Sequence, residues 1–158
     1  MANTQAMTTS FMGELMTATH NFGTAPIRAA TTADTFKAAL YLTSATINAS
    51  TTVYTSSGEV TGTNYTAGGV TVTNATAPTA TNSSATAGVA YWTPSASITY
   101  TTVTLTTAFD AVLIYNSTQS NKAVSVHTFG AQTVTAGTFA LSMPTNSTTT
   151  ALLRLATT

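Results

Sequence analysis

Thr35-Phe36-Lys37-Ala38-Ala39-Leu40-Tyr41-Leu42-Thr43 alternates along its length, with Phe36, Ala38, Leu40 and Leu42 on one face and Lys37, Ala39 and Tyr41 on the other. Successive side chains of an extended chain point to opposite faces, so this spacing predicts a β-strand with one firmly buried side. The same period continues outward. Val70 to Thr73, Val89 to Thr93, Ile98 to Thr106, Phe109 to Asn116, Lys122 to Phe129 and Ala151 to Ala156 are further strand candidates. Thr133 to Ala136 is expected to turn through Gly137 into Thr138 to Pro144. Ala111 to Tyr115 is apolar on both faces, which predicts a central strand covered on both sides. Short strands divided by Gly, Asn and Pro, without a repeat of solenoid length, predict an all-β fold. The expected architecture is a β-sandwich or jelly-roll-like domain over residues 34–158.

Residues 1–33 read differently. Phe11, Leu15, Ala18 and Phe22 make one stripe of a short helix, with Ser10 at its N-cap, Glu14 in its first turn, His20 near its C-terminal end and Gly23 beyond it. This is expected to be a short amphipathic helical arm that either plugs the chain's own sandwich or docks on a neighbour. Ser44 to Gly69 is loop-rich, with turns at Gly58, Gly62, Gly68 and Gly69. Asn74 to Gly88 has almost no large apolar residue and is expected to be a long surface loop. Leu152, Leu153 and Leu155 are expected to close the core with Arg154 facing away. Truncation at Ser147 should therefore unfold the domain, and removal of Met1 to Thr9 should leave it folded.

Charge is the unusual feature of the composition. The chain carries 4 Lys+Arg and 4 Asp+Glu, 5% in all, against about 25% in an average globular protein. In their place stand 41 threonines, whose β-branch favours strands and whose hydroxyl hydrates without charge. A surface so poor in ions tends to associate. It offers no basic patch to track phosphates or anionic headgroups, so neither nucleic acid nor membrane is an expected partner. No apolar run approaches the roughly 18 residues of a membrane helix. Cysteine is absent, so stability has to come from packing, hydrogen bonding or assembly.

The groups available for chemistry are few: Glu14, Asp34, Glu59, Asp110, His20, His127, Lys37, Lys122, Arg28 and Arg154. No two carboxylates share a motif. His127 falls on one strand face with Ser125 and Phe129, yet that spacing supplies neither an orienting carboxylate nor an oxyanion hole. His20 has no histidine four residues away to complete a metal pair, and Gly68-Gly69 lacks the lysine of a phosphate loop. No catalytic residue, metal or cofactor is expected, and the chain is read as a non-enzyme. Glu59-Val60, Gly62, Tyr65 and Gly68-Gly69 read as a compact loop in which glycines permit positive φ and Tyr65 is an apolar plug with a polar tip.

Three stretches, Phe36 to Leu42, Glu59-Val60-Thr61-Gly62-Thr63-Asn64-Tyr65-Thr66-Ala67-Gly68-Gly69-Val70 and Ala108-Phe109-Asp110-Ala111-Val112-Leu113-Ile114-Tyr115-Asn116, resemble small structural proteins of tailed-bacteriophage virions, in particular capsid decoration (cement) proteins. The resemblance implies a β-sandwich on the outer face of the head, often a homotrimer, that bridges capsomers against internal DNA pressure. The implied partners are the major capsid protein of the same virion and further copies of the chain. The alternative is a tail, neck or fibre-associated module contacting the host or another virion protein, with residues 74–88 as its contact loop. Aromatic and apolar anchors dominate interface energetics. This selects Phe11, Leu15 and Phe22 on the arm, and Tyr65, Tyr91 and Trp92 on the domain, as interface residues. Trp92 fits a core position equally well.

Overall fold

The computed structural model describes residues 3–8, 11, 15, 19–20, 22, 33–73, 78–81 and 89–156. The chain is all-β. Its strands are β1 (Ala6–Met7), β2 (Phe36–Leu42), β3 (Val70–Thr71), β4 (Thr79–Ala80), β5 (Val89–Trp92), β6 (Ile98–Asn116), β7 (Lys122–Leu141) and β8 (Leu153–Ala156). They form a five-stranded sheet of order β1-β7-β6-β2-β3 and a three-stranded sheet of order β4-β5-β8. Every pairing is antiparallel.

The β6-β7 hairpin is the spine of the larger sheet. Ser120 and Asn121 close it at φ 53° and 59°, a region that asparagine tolerates. Two breaks expected from the sequence are not there: 98–116 is one strand and so is 122–141. The Thr106-Thr107-Ala108 and Gly130 to Gly137 stretches are absorbed by register shifts rather than turns, including shifts between Val103 and Leu105 and between Leu105 and Phe109. A bulge takes up extra residues and bends a strand without ending it. Ala136, at φ 45°, sits in one of these irregular stretches, and its N–H is held by Thr104 Oγ1 at 3.0 Å.

The central segment Ala111 to Tyr115 is buried on both sides, as its pattern predicts. On one side Val112 and Ile114 join Phe36, Ala38, Leu40 and Val124 in a core that also contains Trp92 and Leu153 of the smaller sheet, with Phe11 and Phe22. On the other side Ala111, Leu113 and Tyr115 join Ala39, Tyr41, Ala123 and Val126 beneath Ala45, Ile47 and Tyr54. Strand β2 is therefore buried on both faces, because the loop after it folds back as a lid over the second. That lid demands close approach. Gly69 has φ 71°, and a Cβ there would lie 1.6 Å from the Ala38 carbonyl oxygen, so only glycine fits.

The arm helix expected between Ser10 and Gly23 falls largely outside the described residues; of its stripe, the described Phe11 and Leu15 are both helical. What is described of 1–33 belongs to the domain. β1 pairs Ala6 with Val126 and Met7 with Ser125. Thr4 and Thr8 donate backbone N–H groups to Ile47 O and Val124 O, each at 3.1 Å. Of the expected loop 74–88, residues 79–80 form β4 against β5, while 74–77 and 82–88 lie outside the described residues. The C-terminal expectation needs one correction. Leu153 is buried and Leu152 half-buried, but Leu155 is 42% exposed, because it pairs with Ala90 toward the end of β8 where the core has run out.

Candidate functional site

Five of the six side chains selected for an interface meet in one place. Phe11, Leu15, Phe22, Tyr91 and Trp92 line an apolar groove of about 80 Å³ between the N-terminal segment and the smaller sheet, with Leu153 and the exposed Leu155 at its border. Phe11, Phe22 and Trp92 are each buried within the chain itself. Phe22 stacks on Phe36 at 4.4 Å between ring centres and meets Trp92 edge-on at 4.9 Å, a geometry that stabilises aromatic pairs beyond their buried area. Leu15 and Tyr91 are half-buried and form the open part of the groove.

Tyr65, the sixth, lies elsewhere, in a cage around Glu59. The Glu59 carboxylate is buried and accepts hydrogen bonds from the Tyr54 hydroxyl at 2.6 Å, the Tyr65 hydroxyl at 2.7 Å and the Gly68 N–H at 2.7 Å. Among the described residues no lysine or arginine is ion-paired with it, so charge-assisted hydrogen bonds hold the carboxylate. Tyr65 accepts in turn from the Leu40 N–H at 3.0 Å. Tyr115 donates to Gly68 O and Tyr100 to Ala38 O, both at 2.8 Å, and Tyr41 donates to Thr55 O. Tyr54 stacks on Tyr115 at 4.8 Å and Tyr65 on Tyr100 at 5.9 Å. The result ties the lid loop to β2 and β6.

These surroundings disfavour tyrosinate. Burial, followed by the charge of Glu59, pushes Tyr115 up to about 12. Burial pushes Tyr41 and Tyr100 well above the usual tyrosine range, and burial together with the hydrogen bond to Glu59 does the same to Tyr65 and Tyr54. The hydroxyls remain donors throughout the neutral range. The compact loop expected from Glu59, Tyr65 and Gly68-Gly69 is thus found, with Gly68 and Gly69 at φ 87° and 71°. Tyr100 and Tyr115 were not legible as its partners, because they come from β6, remote in sequence from the loop.

The two histidines have different partners. Ser125 Oγ and His127 Nε2 are 2.9 Å apart on one strand face, and among the described residues no carboxylate is hydrogen-bonded to the ring. Burial lowers His127 to about 4, so the imidazole is neutral. His20 is buried against Phe11 at 4.8 Å. Its Nδ1 lies 2.9 Å from Asn116 Nδ2, which also donates to Asp34 Oδ2 at 2.7 Å. The Asn116 amide is oriented by its Oδ1, which accepts the N–H groups of Thr118 and Gln119 at 3.1 Å each. That orientation requires His20 Nδ1 to be an acceptor. Among the described residues, no three His, Asp or Glu side chains are grouped to hold a metal ion. No described helix is long and apolar enough to cross a membrane.

The chain matches no protein-family model, no curated protein and no solved structure.

Proposed function

We propose that the chain is a non-enzymatic structural protein of a phage virion, a capsid decoration protein that binds the outer face of the head and strengthens contacts between capsomers. One observation carries the reading. Among the described ionic side chains, Asp34 and Glu59 are buried, Lys37, Asp110 and Lys122 are half-buried, and only Arg154 is exposed. Among the described residues the solvent face is left mostly to threonine, serine and alanine. Free monomers keep soluble through surface charge. A nearly uncharged exterior is suited to being covered, by the shell on one side and by further copies on another.

On this reading the two sheets are the halves of a small β-sandwich, and the aromatic groove, with Leu15 and Tyr91 at its opening, is the docking point for the major capsid protein. Symmetric repetition over a shell multiplies modest contacts by avidity, so no single contact has to be strong. The internal polar groups are engaged in holding the fold, which agrees with a mechanical role. The test is co-sedimentation of the purified chain with heads that lack it and, separately, with isolated tails. Saturable binding to heads at a fixed ratio to the shell protein is expected. Binding to tails or host cells alone would refute decoration and favour a tail, neck or fibre-associated module.

A further inference from the structure

We propose that the outer edge of β7 from Gly137 to Leu141 is a self-association surface, at which two copies of the chain pair their β7 strands antiparallel about a two-fold axis. The inference builds on the reading of the chain as a protein that works by packing, and names the surface and the partner. On one side β7 pairs with β6 from Lys122 to Leu141, with register shifts along the way. On the other, β1 pairs only with Ser125 and Val126, and Thr8 adds a bond to Val124 O. Beyond them, among the described residues, Phe129 to Leu141 has no main-chain partner on that side. An uncovered strand presents a row of backbone donors and acceptors, and proteins ordinarily guard such edges with lysines, prolines or covering segments.

This edge carries no such guard. No lysine, arginine, aspartate or glutamate occurs between Lys122 and Arg154, and the first proline after Lys122 is Pro144, past the end of the strand. The absence of charge also selects the partner. In a two-fold pair each residue meets its own kind nearby, so ions on the edge would repel, and here there are none to do so. The irregular stretch around Ala136 limits where pairing can occur. Residues 139–141 keep an unbroken register with Ile98 to Tyr100, and the shift between Phe139 and Gly137 places its extra residue on β6, so β7 C-terminal to Ala136 is the template. Half-buried Phe139 and Leu141 face the core there, and Phe139 packs on Phe109 at 5.0 Å and Phe129 at 5.3 Å. Pairing two copies would extend that aromatic cluster across the axis.

Thr138 and Ala140 are exposed, so charge can be placed there without entering the core. Sedimentation of the full chain should show a concentration-dependent passage from one chain of 16.1 kDa to a pair. Thr138→Lys and Thr138→Glu should each sediment as single chains, and their equimolar mixture should pair again. Alternate amides of Gly137 to Leu141 should be protected from hydrogen exchange in the wild type and lose that protection in Thr138→Lys. A wild type that stays single at all concentrations, a trimer, or a pair unaffected by the lysine would overturn the proposal. Head binding is scored separately. A pair that ignores heads keeps this surface and removes the decoration reading, whereas head binding by a chain that never pairs does the reverse.

Discussion

Raising the pH should unfold this protein abruptly, and the tyrosine cage sets the size of the effect. In the unfolded chain a tyrosine ionises near 10. In the fold, Tyr41, Tyr100 and Tyr115 are buried and their ionisation is pushed upward, Tyr115 to about 12. A group whose folded value is raised holds its protons more tightly in the fold, so its contribution is intact below the unfolded value and is lost as the pH rises past it. At about pH 11 each such tyrosine favours the unfolded state by about 1.4 kcal/mol. The three buried rings together contribute about 4 kcal/mol. Including Tyr54 and Tyr65, which are half-buried and bonded to Glu59, raises the figure toward about 7 kcal/mol as an upper bound. Domains of this size have roughly 5–15 kcal/mol in total. Far-UV circular dichroism and tyrosinate absorbance, followed together in an alkaline titration, should therefore change in one steep, coincident transition above about pH 10. Gradual appearance of tyrosinate around the ordinary tyrosine value with circular dichroism unchanged would refute the cage.

The acid side should be governed in part by His127, whose burial lowers it to about 4 from 6.5. The unfolded chain takes up the proton first, so stability falls as the pH drops from about 6.5 through about 4, by at most about 3 kcal/mol. Denaturant midpoints of His127→Gln should lose that part of the acid dependence, and identical slopes in variant and wild type would contradict it. Glu59→Ala leaves three donors without their acceptor and should cost about 3–5 kcal/mol, while Glu59→Gln, which keeps one carbonyl oxygen, should cost clearly less. A chemical-denaturation difference below about 1 kcal/mol for the alanine variant would mean that the cage does not hold the lid. Deleting residues 1–9 should lower Tm by about 5 °C or more, since it removes β1 and the Asn3 side-chain bonds to Leu42 O, Asp110 and Ile47 N. A calorimetric scan that leaves Tm unchanged would return these residues to a free arm.

The contrast between what was legible and what was not follows from the range of the interactions involved. Period two is imposed by the backbone itself, so the strands from Phe36 to Leu42 and from Ala111 to Tyr115 could be read directly, including the burial of the latter on both faces. Loop composition was misleading where a bulge imitated a turn. Gly137 with its threonine neighbours has the makings of a hairpin, yet the chain runs straight on, because pairing with β6 on one side outweighs the local preference for a break. The attachment of residues 3–8 to the domain was not legible. Asn3, Thr4 and Thr8 are polar and unpatterned, and their main-chain and side-chain bonds to residues about 40 to 115 positions away have no signature in local spacing. The candidate interface residues were selected by residue type and, for Phe11, Leu15 and Phe22, by their helical spacing on the arm. Five of them converge on one groove because aromatic and apolar side chains at a sheet margin have few other places to go. Tyr65 is held apart from them by Glu59 of its own loop. A glutamate in a loop gives no sign that tyrosines of β2 and β6 will join the two of its own loop around it. What the composition did convey is the scarcity of charge, and the fold makes that scarcity more extreme by burying Asp34 and Glu59 inside, while the stretch of β7 from Phe129 to Leu141 carries no ionic side chain at all.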